Sequence, residues 1–515
     1  MYQGLSTAYW LTLHGLVTFV AVLIYVITAH VLQQRRHPTA AIAWVLFIML
    51  VPYIALPGFL MFGSRKHARP PRRAPPPPST DEQSWAVQTA LALRQAPPAD
   101  YRELQVHADG REALQALWDT VDGATRSLDV CTFILGRDAI GRAAVARLTG
   151  KARAGVQVRL LLDGLGSLMG GRPPDLEPLR AAGAQVALFV PPLRSPLKGR
   201  SNLRDHRKLV IADAELDSAR LWCGGRNLAA AYFEGDGSAA PWHDLSFDLR
   251  GAFVEQTHAL FVQDWHFAGG TRRPALPPVA EPAVALPPAG PSEAAADAAP
   301  PSLDAAADDA PTFTDTRPAP LLAADAGPTL LERSMVEQPR AQLIASGPDQ
   351  VDDTVYSLLV TAAYRAHERI LLVTPYFVPD SALLLALSLA ARRGVVVELL
   401  LPARSNHRLS DLARNRALRA LAAAGAQIWL APRMLHAKLA IIDHTVALAG
   451  SANLDSRSLF INYELMVAFH DLAAIERFDA WYAHERATAR EHHPRRAGLL
   501  RDIGEGLLLW AGFQL

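Results

Sequence analysis

Ala181-Ala-Gly-Ala-Gln-Val186 and Ala423-Ala-Gly-Ala-Gln-Ile428 are nearly the same string, placed far apart in one chain of 515 residues. Working outward, the first copy follows Arg126-Ser-Leu-Asp-Val-Cys-Thr-Phe133, a helical stretch from Ala139 to Ala154, and Val156-Gln-Val-Arg-Leu-Leu-Leu-Asp163. The second follows Glu368-Arg-Ile-Leu-Leu-Val-Thr-Pro-Tyr-Phe377, a helical stretch from Ser381 to Arg393, and Val395-Val-Val-Glu-Leu-Leu-Leu-Pro402. Short apolar, β-branched runs alternate with helical patterns, the mark of βαβ units with helices on both faces of a sheet. The fold class read from this is α/β, as two similar domains that share a site at their interface.

Each copy leads into the same constellation. The first half has His206-Arg-Lys208-Leu-Val-Ile-Ala-Asp213, then Gly224-Gly-Arg-Asn227. The second has His436-Ala-Lys438-Leu-Ala-Ile-Ile-Asp443, then Gly450-Ser-Ala-Asn453. On a strand, His and Lys two apart project from one face, so both reach one site while the apolar run behind them is buried. Two imidazoles can divide nucleophile and general acid between them, since both protonation states of His are accessible near neutrality. Two ammonium groups and two Asn amides make a cationic, donor-rich cradle for a phosphate diester and its more highly charged transition state. No cofactor is implied and no metal is expected, because the lysines would repel it and no ligand cluster stands beside the histidines. The expected chemistry is metal-free phosphoryl-group transfer through a phosphohistidine.

Composition narrows the partners. Lys and Arg total 51 against 50 Asp and Glu, a net charge of +1, which offers no global handle for nucleic acid. Two cysteines, Cys131 and Cys223, exclude a disulfide scaffold. Leu11 to Leu32 and Ala41 to Phe62 lack charged residues, and as helices each would reach about 33 Å, enough for a bilayer core. They predict a transmembrane hairpin over residues 1–62. Arg65, Lys66, Arg69, Arg72 and Arg73 follow it in a basic, Pro-rich linker at 63–80, against Arg35 and Arg36 between the spans. That bias places the catalytic part on the cytoplasmic side of a multi-pass membrane protein. An acidic Pro/Ala-rich segment at 274–320 reads as a disordered linker between a first domain at 81–273 and a second at 321–515.

His-x-Lys-x4-Asp with a downstream Gly-Ser-x-Asn, present twice, resembles the phospholipase D superfamily, and within it the bacterial cardiolipin synthases. Arg35-Arg-His-Pro-Thr-Ala-Ala-Ile-Ala-Trp44, Asn202-Leu-Arg-Asp-His-Arg-Lys208, Thr374-Pro-Tyr-Phe-Val-Pro-Asp380 and Gly450-Ser-Ala-Asn-Leu-Asp-Ser-Arg-Ser458 carry the resemblance. It covers nearly the whole chain apart from the 274–320 linker, and implies two phospholipase D-like domains with one interfacial active site. The implied catalytic set is His206, Lys208, Asp213, His436, Lys438 and Asp443, with His206 as nucleophile, His436 as acid–base partner and the two motif Asp mostly structural. Asn227, Ser451 and Asn453 are implied at the phosphate, and Asp244 (in Trp242-His-Asp244) and Glu464 (in Asn462-Tyr-Glu464) as the carboxylates that orient the histidines.

The implied reaction joins two phosphatidylglycerols into cardiolipin and glycerol, with membrane phospholipids as partners. Its rivals are a membrane phospholipase D that uses water as acceptor and, from another class, an inactive lipid-binding scaffold. Gly225 departs from the pattern, since the first half lacks the usual Ser. The basic loop Pro191 to Ser201, with Arg194, Lys198 and Arg200, is a candidate contact for lipid headgroups. The apolar residues at helical spacing in Gly498 to Leu515 are expected to pack on the second domain.

Overall fold

The computed structural model describes residues 2–31, 38–62, 84–169, 174–191, 202–235, 237, 240–271, 339–495, 498 and 505–506. The expected linkers at 63–80 and 274–320 and the basic loop at 192–201 lie outside the described residues, as does most of the C-terminal stretch. From that stretch Glu505 accepts a hydrogen bond from Arg419, on the helix Arg408–Ala423, at 2.6 Å.

The first half contributes β1 (Ala99–Asp100), β2 (Arg102–Val106), β3 (Ser127–Thr132), β4 (Gln157–Asp163), β5 (Gln185–Phe189), β6 (Leu209–Ala212), β7 (Arg220–Gly224) and β8 (Ser246–Arg250). The second contributes β9 (Arg340–Ser346), β10 (Arg369–Val373), β11 (Phe377–Val378), β12 (Val396–Pro402), β13 (Gln427–Ala431), β14 (Leu439–Ile442), β15 (Val446–Gly450), β16 (Leu454–Asp455), β17 (Glu464–Phe469) and β18 (Arg490–Glu491). One sheet has the order β2-β8-β7-β6-β3-β4-β5, and the other β1-β9-β17-β15-β14-β10-β12-β13-β18. The shared core of both orders is the internal repeat in three dimensions. Within these two sheets β3-β4-β5 and β10-β12-β13 are parallel, as is the separate pair β11-β16; the motif strands β6 and β14 run antiparallel to β3 and β10. The sheets are therefore mixed, which the short hairpins after Asp213 and Asp443 require.

Strand alternation explains the layers. Leu209, Ile211 and Leu221 of one sheet and Leu439, Ile441 and Ala447 of the other enter a single central core. The helices Phe253–Phe267 and Leu472–Ala487 also send residues into it. The alternate residues Val210, Ala212 and Trp222 face the outer helices Gly110–Gly123 and Ala139–Arg153. The other sheet repeats the arrangement with Ala440, Ile442 and Leu448 facing Thr354–Arg365 and Ser381–Arg392. Since one core draws on both halves, neither sheet buries its inner face alone.

Two boundaries differ from the sequence reading. The first block was expected to begin at residue 81, yet Ala86 and Ala90 of the helix Trp85–Ala92 pack in the outer core of the second half. β1 follows by pairing antiparallel with β9, and Gln95 accepts from the Ala345 amide at 2.9 Å. The reason is the exposed edge of β9, whose free backbone groups take whichever strand reaches them.

Where the sequence predicts a two-helix hairpin over residues 1–62, the structure describes three helices. The helix Tyr2–Val31 carries Gln3, Ser6, Thr7, Thr12, His14 and Thr18 along its first half, and the second expected span breaks at Pro52 into Pro38–Leu50 and Pro52–Phe62. A proline inside a helix removes a backbone hydrogen bond and clashes with the preceding turn. Among the described residues no helix is long and apolar enough to cross a membrane. The three helices share a small core of Ala21, Tyr25, Ile48, Ala55 and Phe59, while Trp10, Leu16, Phe19, Ile42, Leu50 and Ile54 are exposed.

Candidate active site

His206 and Lys208 do not lie on β6, as the spacing suggested, but in the extended segment just before it; His436 and Lys438 likewise precede β14. Each segment leaves its own sheet to pair with the other half. Tyr463 N donates to Arg204 O at 2.8 Å and His206 N to Tyr463 O at 2.9 Å. Symmetrically, His243 N donates to Met434 O at 2.8 Å and His436 N to His243 O at 2.6 Å. The next residue in each partner segment is the carboxylate, so every histidine is held across the interface. His206 Nδ1 stands 3.0 Å from Glu464, and His436 Nδ1 stands 2.7 Å from Asp244. An ionised carboxylate only accepts, so Nδ1 of each ring donates; Nε2 of His206 then faces the site, and Nε2 of His436 lies 3.2 Å from Lys438 Nζ.

Both histidines, both lysines, both carboxylates, Asn227, Asn453 and Ser451 are buried together. Lys208 Nζ donates to His206 O at 2.5 Å; Lys438 Nζ likewise donates to His436 O, and also lies 2.8 Å from His436 Nδ1 and 3.2 Å from Nε2. Burial pushes Lys208 down to about 8 against the pull of Glu464 and Asp244, and pushes Lys438 down to about 7, with Lys208 adding to that fall. Burial and then the Lys438 ammonium drive His436 to about 3, and burial also lowers His206 against the opposing charge of Glu464. Burial raises both carboxylates, but the facing His and Lys charges outweigh it, so Asp244 and Glu464 end below the usual carboxylate range. The site thus holds more positive potential than it can keep protonated, the state an incoming phosphate anion relieves.

The remaining motif residues separate into two groups. Ser451 Oγ donates to Glu464 at 2.5 Å and accepts from Leu465 N, so it braces the carboxylate behind His206. Asn227 accepts from Ile134 N at 3.1 Å, and the buried Oδ1 of Asn453 has no hydrogen-bond partner. Asp213 and Asp443, placed in the catalytic set by the motif, stand instead at the far ends of β6 and β14, about 17 Å of strand away from the lysines. Asp213 accepts from Thr125 N and Oγ1, Arg126 N and Ser127 N, and Asp443 from His367, Glu368 and Arg369 N. Both adopt positive φ, +53° and +50°, in the turn that starts each hairpin. They fasten each motif strand to its neighbour. Among the described residues no group of His, Cys, Asp and Glu is placed to hold a metal ion.

Sequence reading missed several contributors. Arg207, fully buried between the motif His and Lys, pairs with Asp264 at 2.5 Å and donates to Glu464 O at 3.1 Å, locking the first motif to the strand that holds His206 from the other half. Its position inside the motif, where the second half has Ala437, was the available signal. Phe133 lies against His206, and Tyr232, Trp242 and Tyr376 surround His436 with centroids 5.2, 5.4 and 6.5 Å away. These rings shield the imidazoles from water. A 510 Å³ cavity behind Asp244 is lined by Arg226, Trp242, His243, Arg433 and Glu485.

Comparison with known proteins agrees with this geometry. A family model described as "Cardiolipin synthase, PLD-like domain" matches residues 359–486, which include the whole second motif. Cardiolipin synthase A of Pseudomonas aeruginosa is 29% identical over 508 residues, covering 94% of this chain and 92% of that protein. Cardiolipin synthase A of Shigella flexneri is 29% identical over 490 residues, covering 89% and 90%. The crystal structure of phosphatidylserine synthase from Haemophilus influenzae superposes with a TM-score of 0.55 at 11% identity, covering 83% of this chain and 98% of that one, a likeness of fold. The doubled motif, its closure across two sheets and relatives aligned along almost the entire length make this chain similar to the bacterial cardiolipin synthases of the phospholipase D superfamily.

Proposed function

We propose that the protein is a cardiolipin synthase, a phosphatidyltransferase that joins two phosphatidylglycerols with release of glycerol. The observation that carries this reading is the pair of buried His–Lys–Asn sets, each histidine held by a carboxylate of the other half. In the first step His206 Nε2 attacks the phosphorus of one phosphatidylglycerol. The bond to the headgroup glycerol breaks, and His436, protonated once the phosphodiester has brought its negative charge between the lysines, gives its proton to the departing oxygen. In the second step neutral His436 takes the proton from a headgroup hydroxyl of a second phosphatidylglycerol. That oxygen forms the new bond to phosphorus, the bond to His206 breaks, and cardiolipin leaves.

Lys208, Lys438, Asn227 and Asn453 are proposed to hold the non-bridging oxygens, and Glu464 and Asp244 to fix the Nδ1 hydrogens. We assign membrane attachment to the helices of residues 2–62, which leave the large apolar side chains Trp10, Phe19, Ile42 and Leu50 exposed for lipid to cover. The test is product analysis: purified protein with phosphatidylglycerol in mixed micelles, lipids resolved by mass spectrometry. Cardiolipin with an equal amount of glycerol is expected, and added glycerol should drive the reaction back. Phosphatidic acid as the sole product would make the protein a hydrolase, and unchanged lipid would make it a binding protein.

A further inference from the structure

Equivalent backbone donors in the two halves find different acceptors. In the second half Leu465 N donates to Ser451 Oγ at 3.0 Å, and that hydroxyl donates in turn to Glu464, the carboxylate on His206. In the first half Leu245 occupies the same place: Gly225 N donates to Leu245 O at 2.9 Å, as Ser451 N donates to Leu465 O at 2.8 Å. Yet no hydroxyl stands at position 225. Leu245 N donates instead to Oδ1 of Asp244 at 2.8 Å, while Oδ2 of the same carboxylate takes His436 Nδ1. A Cβ added at Gly225 would stand 2.1 Å from Asp244 Oδ1 and 2.9 Å from its Cγ. The shorter carboxylate therefore fills the volume that a serine side chain would need. It cannot swing aside, since both oxygens are engaged.

We infer that Gly225 is a positioning residue for His436: its missing side chain admits the Asp244 carboxylate, which serves at once as the serine hydroxyl and as the glutamate of the other half. The missing serine is thus not a lost phosphate donor but half of a paired exchange, Ser with Glu against Gly with Asp. The exchange has a chemical consequence. Glu464 divides its charge among His206, Ser451 and Asn462, whereas Asp244 accepts from His436 and one backbone amide. A carboxylate with fewer competing donors supports an imidazolium better. Once the bound phosphodiester offsets the charge of Lys438, this suits His436 to carry the proton and His206 to attack, an assignment that rests on the reaction proposed above.

The test compares wild type, Gly225→Ser, Gly225→Ala and the double variant Gly225→Ser/Asp244→Glu. Two substrates are used: phosphatidylglycerol, whose glycerol must leave protonated, and phosphatidyl-p-nitrophenol, whose leaving group departs without a proton. Gly225→Ser is expected to lose 100-fold or more of its turnover on phosphatidylglycerol while its first-turnover release of p-nitrophenolate falls less than tenfold. Adding Asp244→Glu should return at least tenfold of the lost turnover and raise the melting temperature of the single variant. Gly225→Ala, which adds only the clashing methyl, should behave as Gly225→Ser, so aggregation of one leaves the other to decide. Wild-type turnover in either single variant overturns the inference. So does an equal loss on both substrates in a folded protein, or a double variant no better than Gly225→Ser. If the wild type hydrolyses phosphatidylglycerol without making cardiolipin, the reading of its function fails, but the comparison of leaving groups still decides the role of Gly225.

Discussion

His206 is held by a glutamate that also accepts from Ser451 and Asn462, whereas His436 is held by an aspartate whose other oxygen is tied to its own neighbouring amide. The lysines share one contact, each donating to the carbonyl of its motif histidine, and Lys438 alone also lies against the ring of that histidine, His436. Arg207 clamps the first motif to the second half, and Ala437 gives the second motif no such clamp. Two copies of one pattern thus hold their histidines differently: His206 stands 3.0 Å from a shared carboxylate, and His436 stands 2.7 Å from a carboxylate with fewer donors. A nucleophile must be held still for in-line attack, whereas an acid–base group must exchange a proton with two different oxygens in turn.

The largest effect expected from breaking this asymmetry is at the histidines. His206→Ala should abolish turnover and form no covalent adduct. His436→Ala should turn over 10²- to 10⁴-fold more slowly, the usual loss of general acid–base catalysis, and accumulate label on His206. Incubation with phosphorus-labelled phosphatidylglycerol, quenched in base, reads both; label recovered on His436 would reverse the roles.

Next come the carboxylates. Asp244→Asn and Glu464→Gln keep the shape of the side chain but present a donor to Nδ1, favouring the wrong tautomer. Each should cost about 10²- to 10⁴-fold in kcat. Because each carboxylate acts on the histidine of the other half, Asp244→Asn added to His436→Ala should cost almost nothing more, and added to Glu464→Gln should cost much more. Rates of the double variants would falsify the crossed pairing if these two patterns were exchanged.

A smaller effect follows from the lysines. With values near 8 for Lys208 and near 7 for Lys438, both ammonium groups are charged in the empty site at pH 6 and mostly neutral at pH 9. An anion that needs them charged must take up protons to bind at the higher pH, so affinity falls as pH rises. Competitive inhibition by inorganic phosphate should weaken by roughly tenfold or more over that interval. A flat profile would show that the lysines stay charged throughout.

The smallest effect on chemistry is predicted where the motif looks most catalytic. Asp213→Ala strands a cluster of backbone donors at the edge of β3, at a cost on the order of 2–4 kcal/mol of stability. Asp443→Ala should do the same beside β10. Both should lower the melting temperature and leave kcat of the folded enzyme within a few-fold of wild type. A fall of kcat by a hundredfold in a folded variant would return these residues to the catalytic set.

The sequence by itself determined the repeat, the strand alternation and the identity of the reacting groups. Period-two apolar runs such as Leu209 to Ala212 and Leu439 to Ile442 are local signals, and a doubled His–Lys–Asn pattern is legible without any contact map. Gly225 was legible too, though only as an omission. Tertiary structure alone decided which carboxylate serves which histidine, because that pairing joins residues hundreds of positions apart through one backbone bridge on each side of the interface. It also decided that residues 85–100 pack on the second half, which backbone amides beside β3 and β10 Asp213 and Asp443 hold, and that Arg207 is a clamp. The physical reason is common to all of these. Hydrophobic periodicity reports which face of a segment is buried, but the partner that buries it is set by which free edge or unpaired donor lies nearest once both sheets have formed. Pro52 shows the same division from the other side: the break it makes in the second apolar run is written in the sequence, while the apolar surface that results is visible only when Trp10, Phe19 and Ile42 are seen to remain uncovered.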